Sequence, residues 1–112
     1  MKLSELSYET YRYLFDIKYF AKQLKDAGYE EDDIDKIIEK ANLLYKIFLK
    51  SIEEKTIPEQ TEDLKTAHKF AGEILNQLKE LKCKDNFINE KVDLIVEAFA
   101  IKEKTEVFLN KI

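Results

Sequence analysis

Apolar residues recur along this chain every three or four positions, which is the spacing of an α-helix rather than of a β-strand. When residues are placed at the helical step of about 100° each, the apolar positions gather into one stripe in each of four successive segments. The four predicted helices cover residues 4–27, 31–55, 58–82 and 86–111. Charged residues fill most positions between the stripes, so each segment is predicted to bury one face and expose the other.

The predicted buried stripes are as follows. The first helix contributes Leu3, Leu6, Tyr13, Leu14, Ile17, Phe20, Ala21 and Leu24. The second, which is the most regular, contributes Ile34, Ile37, Ile38, Ala41, Leu44, Tyr45, Phe48, Leu49 and Ile52. The third contributes Leu64, Ala67, Ala71, Ile74, Leu75, Leu78 and Leu81. The fourth drifts from Ile88, Val92, Ile95 and Phe99 toward Ile101, Phe108, Leu109 and Ile112, as in a helix that follows a supercoiled seam.

Gly28 marks the predicted end of the first helix. Glycine takes the left-handed conformation after a helix without steric cost, and the following Tyr29 then lies where it contacts Leu24. Four consecutive acids at positions 30–33 open the second helix, where their charge suits the positive end of the helix dipole. The first two helices are therefore predicted to be joined by a short turn.

Proline and short polar residues mark the later boundaries. The second helix is predicted to end near Lys55, because Pro58 disfavours helix in the residue that precedes it. The third helix starts at Pro58 or takes Thr61 as its N-cap, and Asp85 and Asn86 cap the fourth. The connections are about three to six residues long, and connections this short hold successive helices antiparallel.

Composition agrees with a helical fold. Two glycines and one proline among 112 residues supply too few turns for a β-sandwich or a β-barrel. A chain of this length supports one hydrophobic core. We therefore predict an all-α protein with a single domain over residues 1–112, folded as an antiparallel up-and-down four-helix bundle with short connections.

Charge and cysteine content limit the classes of partner. The 19 basic and 23 acidic residues give a net charge of −4, which provides no overall attraction to nucleic acid. Arg12 is the only arginine, so bidentate contacts to phosphate or guanine are scarce. The single cysteine, Cys83, excludes an intramolecular disulfide. No apolar run is long enough to span a membrane and no signal peptide is visible, so we expect a cytoplasmic protein that does not bind membranes.

Residues that commonly carry catalysis do not form a recognisable site in the sequence. His68, the only histidine, lies at the edge of the third stripe, as expected of a boundary residue with one hydrogen-bonded ring nitrogen. Cys83 lies in the turn before the fourth helix, with no histidine beside it in the sequence. We predict no catalytic residue, no metal ligand and no cofactor, and therefore a protein that is not an enzyme.

Two acidic pairs resemble those that bind magnesium on adjacent helices. Glu59 and Glu62 lie at the start of the third helix, and Glu90 and Asp93 lie at the start of the fourth. Because adjacent helices are antiparallel, the two starts are predicted at opposite ends of the bundle, roughly 30 Å apart. Two pairs at that separation do not share a metal ion.

The first helix carries a second apolar surface where a plain bundle would be charged. We call it the aromatic face, and its residues are Tyr8, Tyr11, Phe15 and Tyr19. These rings span about 80°, nearly opposite the buried stripe. Arg12, Lys18 and Lys22 flank them. Aromatic side chains of about 150–250 Å² each, if left in water, approach the patch size that marks an interaction site.

Three explanations of the aromatic face stay open. An unusual monomer buries it, or it binds another copy or a protein partner, or it stacks on a nucleotide or on single-stranded nucleic acid. We predict the second, a non-catalytic interaction protein that self-associates or binds a partner, such as an inhibitor, an immunity protein or an accessory subunit. Nucleotide or nucleic-acid binding is the alternative. The predicted binding residues are Tyr8, Tyr11, Arg12, Phe15, Lys18, Tyr19 and Lys22.

Overall fold

A computed structural model describes residues 2–29, 32–53 and 56–112. These residues form α1 (Leu3–Asp26), α2 (Asp32–Glu53), α3 (Ile57–Glu80) and α4 (Ile88–Lys111), with a short 3-10 turn before α4. Each helix packs against the next, and α4 closes the bundle against α1. The bundle measures 46 × 19 × 18 Å. The predicted all-α four-helix bundle is therefore confirmed.

The end of α1 follows the prediction. Gly28 has a φ of +90°, and the amide of Tyr29 donates to the carbonyl of Leu24 at 3.1 Å. This is the hydrogen bond of a Schellman turn. The acids at positions 30 and 31, and the predicted end of the second helix at Lys55, lie outside the residues that the structure describes.

The start of α3 differs from the prediction. Thr56, rather than Pro58 or Thr61, is the N-cap, and its side-chain oxygen accepts a hydrogen bond from the amide of Glu59 at 3.3 Å. Pro58 is the second residue of the helix, where its missing N–H leaves no helical hydrogen bond unmade. Thr61 lies inside the first turns and donates to the carbonyl of Ile57.

The start of α4 differs as well. Asp85 and Asn86 do not cap this helix but form the 3-10 turn together with Phe87. The amide of Phe87 donates to the carbonyl of Lys84 at 2.9 Å, which tightens the turn. α4 then begins at Ile88 without a hydrogen bond from a side-chain cap.

The core is one cluster that runs the length of the bundle. All four helices contribute to it, and most of the predicted stripes of α1 and α3 are buried, namely Leu6, Tyr13, Ile17, Leu24, Leu64, Ala67, Ala71, Ile74 and Leu78. Ala67 and Ala71 are small, so the helices next to α3 can approach it closely at these positions. In the part of the chain that the structure describes, no helix is both long and apolar enough to cross a membrane.

The buried face of α4 overlaps only partly with the predicted stripe: Ile101 is buried, and Ile95, Phe108 and Leu109 pack against the core. Its buried residues are Leu94, Ala98, Ile101 and Thr105. The predicted core residues Ile88, Val92, Phe99 and Ile112 are instead 42% to 48% exposed. We call the outward row Val92, Val96, Phe99 and Val107 the α4 stripe. Because α4 carries apolar residues on more than one side, the helical step alone does not predict which side is buried.

Candidate functional site

α1 positions the aromatic face by burying its opposite side. Leu6, Ile17 and Leu24 are fully packed in the core. Residues about half a turn round the helix therefore point outward. The four rings of the aromatic face are 40% to 67% exposed, so they do not belong to the core of the monomer.

Two of the four rings contact each other, and one of these also contacts a ring of α2. The ring of Tyr11 meets the ring of Phe15 edge-on, with 4.9 Å between centroids, and it lies 5.2 Å from the ring of Tyr45 in α2. Leu49 and Ile52 follow at helical spacing on the same side of α2 as Tyr45. Together with the aromatic face, these three residues form a larger apolar surface, which we call the α1–α2 patch.

The prediction for α2 is wrong at two positions of this patch. Leu49 and Ile52 share the helical spacing of the buried residues, and the sequence therefore placed them in the core. They are instead 42% and 43% exposed. No feature of the sequence distinguishes these two residues from their buried neighbours, because their burial depends on how α1 lies against α2.

The three flanking basic residues do not converge. Lys18 lies beside the aromatic face, with its Nζ 5.9 Å from the centre of the Phe15 ring. Lys22 is exposed one turn further along the same edge. Arg12 lies at the other edge, in a groove between α1 and α4. A single phosphate group therefore does not meet all three cations.

This groove separates the aromatic face from α4 and has a volume of about 290 Å³. Glu9, Arg12, Asp16, Glu97 and Lys104 are its charged lining residues. Lys104 bridges the groove by donating to both carboxylate oxygens of Glu9, at 2.7 and 2.9 Å. Three carboxylates beside two cations provide no net attraction to a phosphate.

Asp16 of α1 and Glu97 of α4, which both line the groove, form a carboxyl pair across it. Burial raises the pKa of Glu97 above its ordinary value, and the nearby charge of Asp16 and a hydrogen bond between the two side chains raise it further. Asp93 acts in the same direction, while the guanidinium of Arg12 opposes the shift. Glu97 therefore holds a proton more tightly in the folded chain than in the unfolded chain.

Tyr13 ties α1 to α4 beneath the groove. Its hydroxyl donates to the carbonyl of Leu94 at 2.8 Å, inside the core. Burial raises the pKa of Tyr13 well above its ordinary value, and the charges of Glu97 and Asp16 add to the effect. The hydroxyl therefore stays protonated and remains a hydrogen-bond donor.

His68 and Cys83 lie away from the aromatic face. The Nε2 of His68 on α3 is 3.9 Å from Oε2 of Glu106 on α4, at the far side of the bundle from α1. Cys83 is a half-buried free thiol in the connection before α4. Neither residue contributes to the α1–α2 patch or to the groove.

The two acidic pairs are separated as the antiparallel arrangement predicts. Glu59 and Glu62 line a depression beside Lys50. Glu90 and Asp93 line a different one beside the second half of α1. Over residues 2–29, 32–53 and 56–112, no three histidine, cysteine, aspartate or glutamate side chains are grouped so that they could hold a metal ion.

A family model described as nucleotidyl transferase L544, helical domain, matches residues 1–110 of the chain. The match spans all four helices. No curated protein and no solved structure matches the chain.

Proposed function

Because the chain belongs to the family of nucleotidyl transferase L544 helical domains, we propose that it is a non-catalytic helical unit that works beside the catalytic domain of a nucleotidyl transferase. The catalytic domain binds the α1–α2 patch, with Phe15 near the centre of the contact. The proposal applies equally to a catalytic domain in the same polypeptide and to one in a separate chain.

The exposure of four neighbouring rings carries this proposal. At about 200 Å² for each aromatic side chain, rings exposed by 40% to 67% leave about 400 Å² of aromatic surface in water. Continuous apolar patches of a few hundred Å² are typical of protein interaction sites. Tyrosine is also among the residues that contribute most to binding energy in such sites.

The contacts within the patch support a protein partner in a second way. Tyr11 is held between the rings of Phe15 and Tyr45 before any partner arrives. A side chain that is already held loses little conformational freedom on binding, which lowers the entropic cost of the complex. The patch is therefore suited to a rigid partner surface.

A second candidate function, binding of a nucleotide or of single-stranded nucleic acid, is favoured by one observation. Lys18 lies beside the ring of Phe15, and Lys22 lies on the same edge, so a stacked base would have cations nearby for its phosphate. The position of Arg12 among carboxylates and the net charge of −4 oppose this function. We therefore place it second.

The proposal is tested by titrating the chain with a nucleotidyl transferase catalytic domain from the same source, expressed separately, in a calorimeter. We expect Phe15→Glu to weaken binding by at least about 30-fold, because it puts a charge at the centre of the contact. Helical circular dichroism checks that the variant is folded. If Phe15→Glu unfolds the chain, the more exposed Tyr19→Glu replaces it.

Phe99→Glu is the matched control. Phe99 lies on α4 and is exposed to nearly the same extent as Phe15, at 48% against 52%, so the change adds the same charge to a similar environment. We expect the control to bind the catalytic domain as the unmodified chain does. Unchanged affinity in a folded Phe15→Glu variant, or no binding by the unmodified chain, contradicts the proposal.

The alternative function is measured by titrating nucleoside triphosphates and short single-stranded oligonucleotides while the tyrosine fluorescence is recorded. Stacking on the aromatic face changes this fluorescence, and the affinity then falls as salt is added. Replacing both Lys18 and Lys22 with glutamate abolishes such binding. A response that depends on these two lysines supports the second candidate in place of the first.

A further inference from the structure

A second depression between α1 and α4 continues the groove beyond the carboxyl pair. Its volume is about 270 Å³, and Asp16 and Glu97 line both this depression and the groove. Glu90 and Asp93 add two carboxylates from the first turns of α4. We call this depression the acidic pocket. Among the residues that the structure describes, no lysine, arginine or histidine lines it.

Tyr19 connects the acidic pocket with the aromatic face. It lines the pocket, and its side chain is the most exposed of the four rings, at 67%. The ring of Phe20, which is buried in the core, lines the pocket as well. The pocket therefore combines carboxylates with aromatic surface, and a protein that covers the aromatic face also reaches the edge of the pocket.

The carboxylates of the acidic pocket lack the ion pairs that acidic residues make elsewhere in the bundle. Glu9, for example, is paired with Lys104 at 2.7 Å. Over residues 2–29, 32–53 and 56–112, no basic nitrogen lies within 4 Å of a carboxylate oxygen of the pocket. Asp16 and Glu97 hydrogen-bond to each other instead, which requires a proton on one of them. The chain therefore gathers negative charge here without placing a cation in contact with it.

We propose that the acidic pocket receives an arginine side chain of the protein that binds the aromatic face. This arginine site rests on the proposed function, because the protein that supplies the side chain is the catalytic domain. The site adds the chemistry of the partner surface, which carries a basic residue beside an apolar centre.

The acidic pocket matches a guanidinium group in charge, shape and size. The planar guanidinium donates to two carboxylate oxygens at once, and it stacks on an aromatic ring such as that of Tyr19. The volume of about 270 Å³ lies below the range of about 300–1,000 Å³ for pockets that hold small molecules, so it suits one side chain. In the described part of the chain, no three of the carboxylates are grouped so that they could hold a metal ion, and a larger cation is therefore the better occupant.

The charges on the two edges of the aromatic face favour one orientation of the partner. Lys18 and Lys22 lie on one edge, and the acidic pocket lies on the other. Complementary charges across an interface favour one orientation, while like charges oppose the reversed one. We therefore expect the catalytic domain to place basic residues over the acidic pocket and acidic residues over the two lysines.

Titration with N-acetylargininamide, followed by NMR of the backbone amides, tests the pocket without the partner. We expect saturable shifts at residues 16, 19, 93 and 97, with a dissociation constant on the order of 1–10 mM. The uncharged compound N-acetylglutaminamide should not cause these shifts. The double variant Glu90→Gln with Asp93→Asn should weaken binding of the arginine compound at least threefold, because it removes two of the carboxylates.

A second acidic pair provides the matched control for this titration. Glu59→Gln with Glu62→Gln removes the same charge from the start of α3, a helix that does not pack against α1. We expect this variant to bind the arginine compound as the unmodified chain does. The absence of saturable shifts in the acidic pocket, or equal weakening by the two double variants, overturns the proposal.

Charge reversal tests the same site against the catalytic domain in the calorimeter. Glu90→Lys with Asp93→Lys should weaken binding at least tenfold at about 0.05 M salt, because two ammonium groups then oppose the arginine. The loss should shrink at about 1 M salt, where charges are screened beyond about 3 Å. Glu59→Lys with Glu62→Lys changes the net charge equally and should leave binding unchanged.

Circular dichroism checks that both charge-reversal variants are folded. If the variant with lysines at positions 90 and 93 does not fold, Glu90→Gln with Asp93→Asn replaces it, with an expected loss of at least threefold. Equal effects of the changes on α4 and on α3 would contradict the arginine site.

The two proposals fail separately. If Phe15→Glu weakens binding of the catalytic domain and the changes at positions 90 and 93 do not, the arginine site is rejected and the proposed function stands. If the catalytic domain does not bind while N-acetylargininamide binds in the acidic pocket, the proposed function is rejected and the pocket stands as an arginine site for a different protein.

Discussion

Tyr13 is the one tyrosine of α1 that is buried, and its hydroxyl needs a partner for that reason. It donates to the carbonyl of Leu94, at 2.8 Å. The rings of Tyr8 and Tyr19 lie mostly in water, where the solvent can satisfy their hydroxyls. The same residue type therefore stabilises the bundle at one position of α1 and leaves a binding surface at others.

Replacing Tyr13 with phenylalanine tests the structural role. The ring keeps its packing, but the hydrogen bond between α1 and α4 is lost, so we expect the free energy of unfolding to fall by about 1 kcal/mol. Urea denaturation measures the change. Tyr8→Phe removes a hydroxyl from an exposed ring and should change stability by less than about 0.5 kcal/mol. Equal losses in the two variants would contradict the assignment.

Glu97 should make stability depend on pH. Its pKa is raised in the folded chain, so the folded state binds the proton more tightly than the unfolded state does. The stabilisation is complete below the ordinary glutamate pKa of about 4.3 and is lost as pH rises through the raised value. Glu97→Gln removes the titration and keeps a donor for Asp16, so the variant should gain stability over the unmodified chain as pH rises.

Denaturation of both proteins at several pH values between about 4 and 7 measures this difference. Glu39→Gln, which removes a charge from an exposed position on α2, is the control and should show no comparable trend. A Glu97→Gln effect that is the same at every pH would show that the carboxyl pair does not titrate in this range.

The sequence predicts which residues of α1 are buried, but it does not do so at several positions of α2 and α4. On α1 the apolar stripe and the aromatic face lie on opposite sides, so the helical step alone distinguishes Tyr13 from Tyr8. Leu49 and Phe99 have the spacing of core residues and are nonetheless exposed. Their exposure depends on how neighbouring helices are placed, which a single helix does not encode.

At the scale of an element, the two glycines have opposite roles. Gly28 ends α1 with a φ of +90°, a conformation that an added side chain makes unfavourable. Gly72 lies inside α3, where an added Cβ would meet only the Cε of Lys102, at 3.8 Å. The first glycine is needed by the turn, and the second is not needed by the helix.

Substitution with alanine should therefore shift stability in opposite directions. We expect Gly28→Ala to lower the free energy of unfolding by about 1–2 kcal/mol, because of the left-handed conformation. We expect Gly72→Ala to raise it by about 0.5–1 kcal/mol, because glycine weakens a helix interior. Thermal denaturation of the two variants provides the measurement. Stability changes of the same sign in the two variants would contradict the environment described for one of the two glycines.

The sequence predicts correctly that four helices form, but it predicts less well the residue at which each helix begins. The Schellman turn at Gly28 has one strong signal and was predicted correctly. The N-cap of α3 was wrong, because Thr56, Pro58 and Thr61 all suit a helix start and only the geometry selects Thr56. α4 lacks a side-chain cap and follows a 3-10 turn, and no sequence signal distinguishes that entry from a capped one.

At the scale of the whole molecule, the apolar patterns and short connections determine the four-helix bundle. They do not determine which outer surface has a partner. The α1–α2 patch was partly predicted from the sequence, because its rings face away from the buried stripe of their own helix. The α4 stripe was not recognised as one surface, because Val92 and Phe99 were assigned to the predicted core of α4.

The bridge between α1 and α4 has a consequence for the order of folding. Tyr13 and Leu94 are 81 residues apart, and Glu9 and Lys104 are 95 residues apart, whereas the other helix pairs are neighbours along the chain. Contacts between distant segments form slowly, because the intervening chain must first be brought together. We therefore expect the hairpins of successive helices to assemble early and the joining of the first helix to the last to complete the native state.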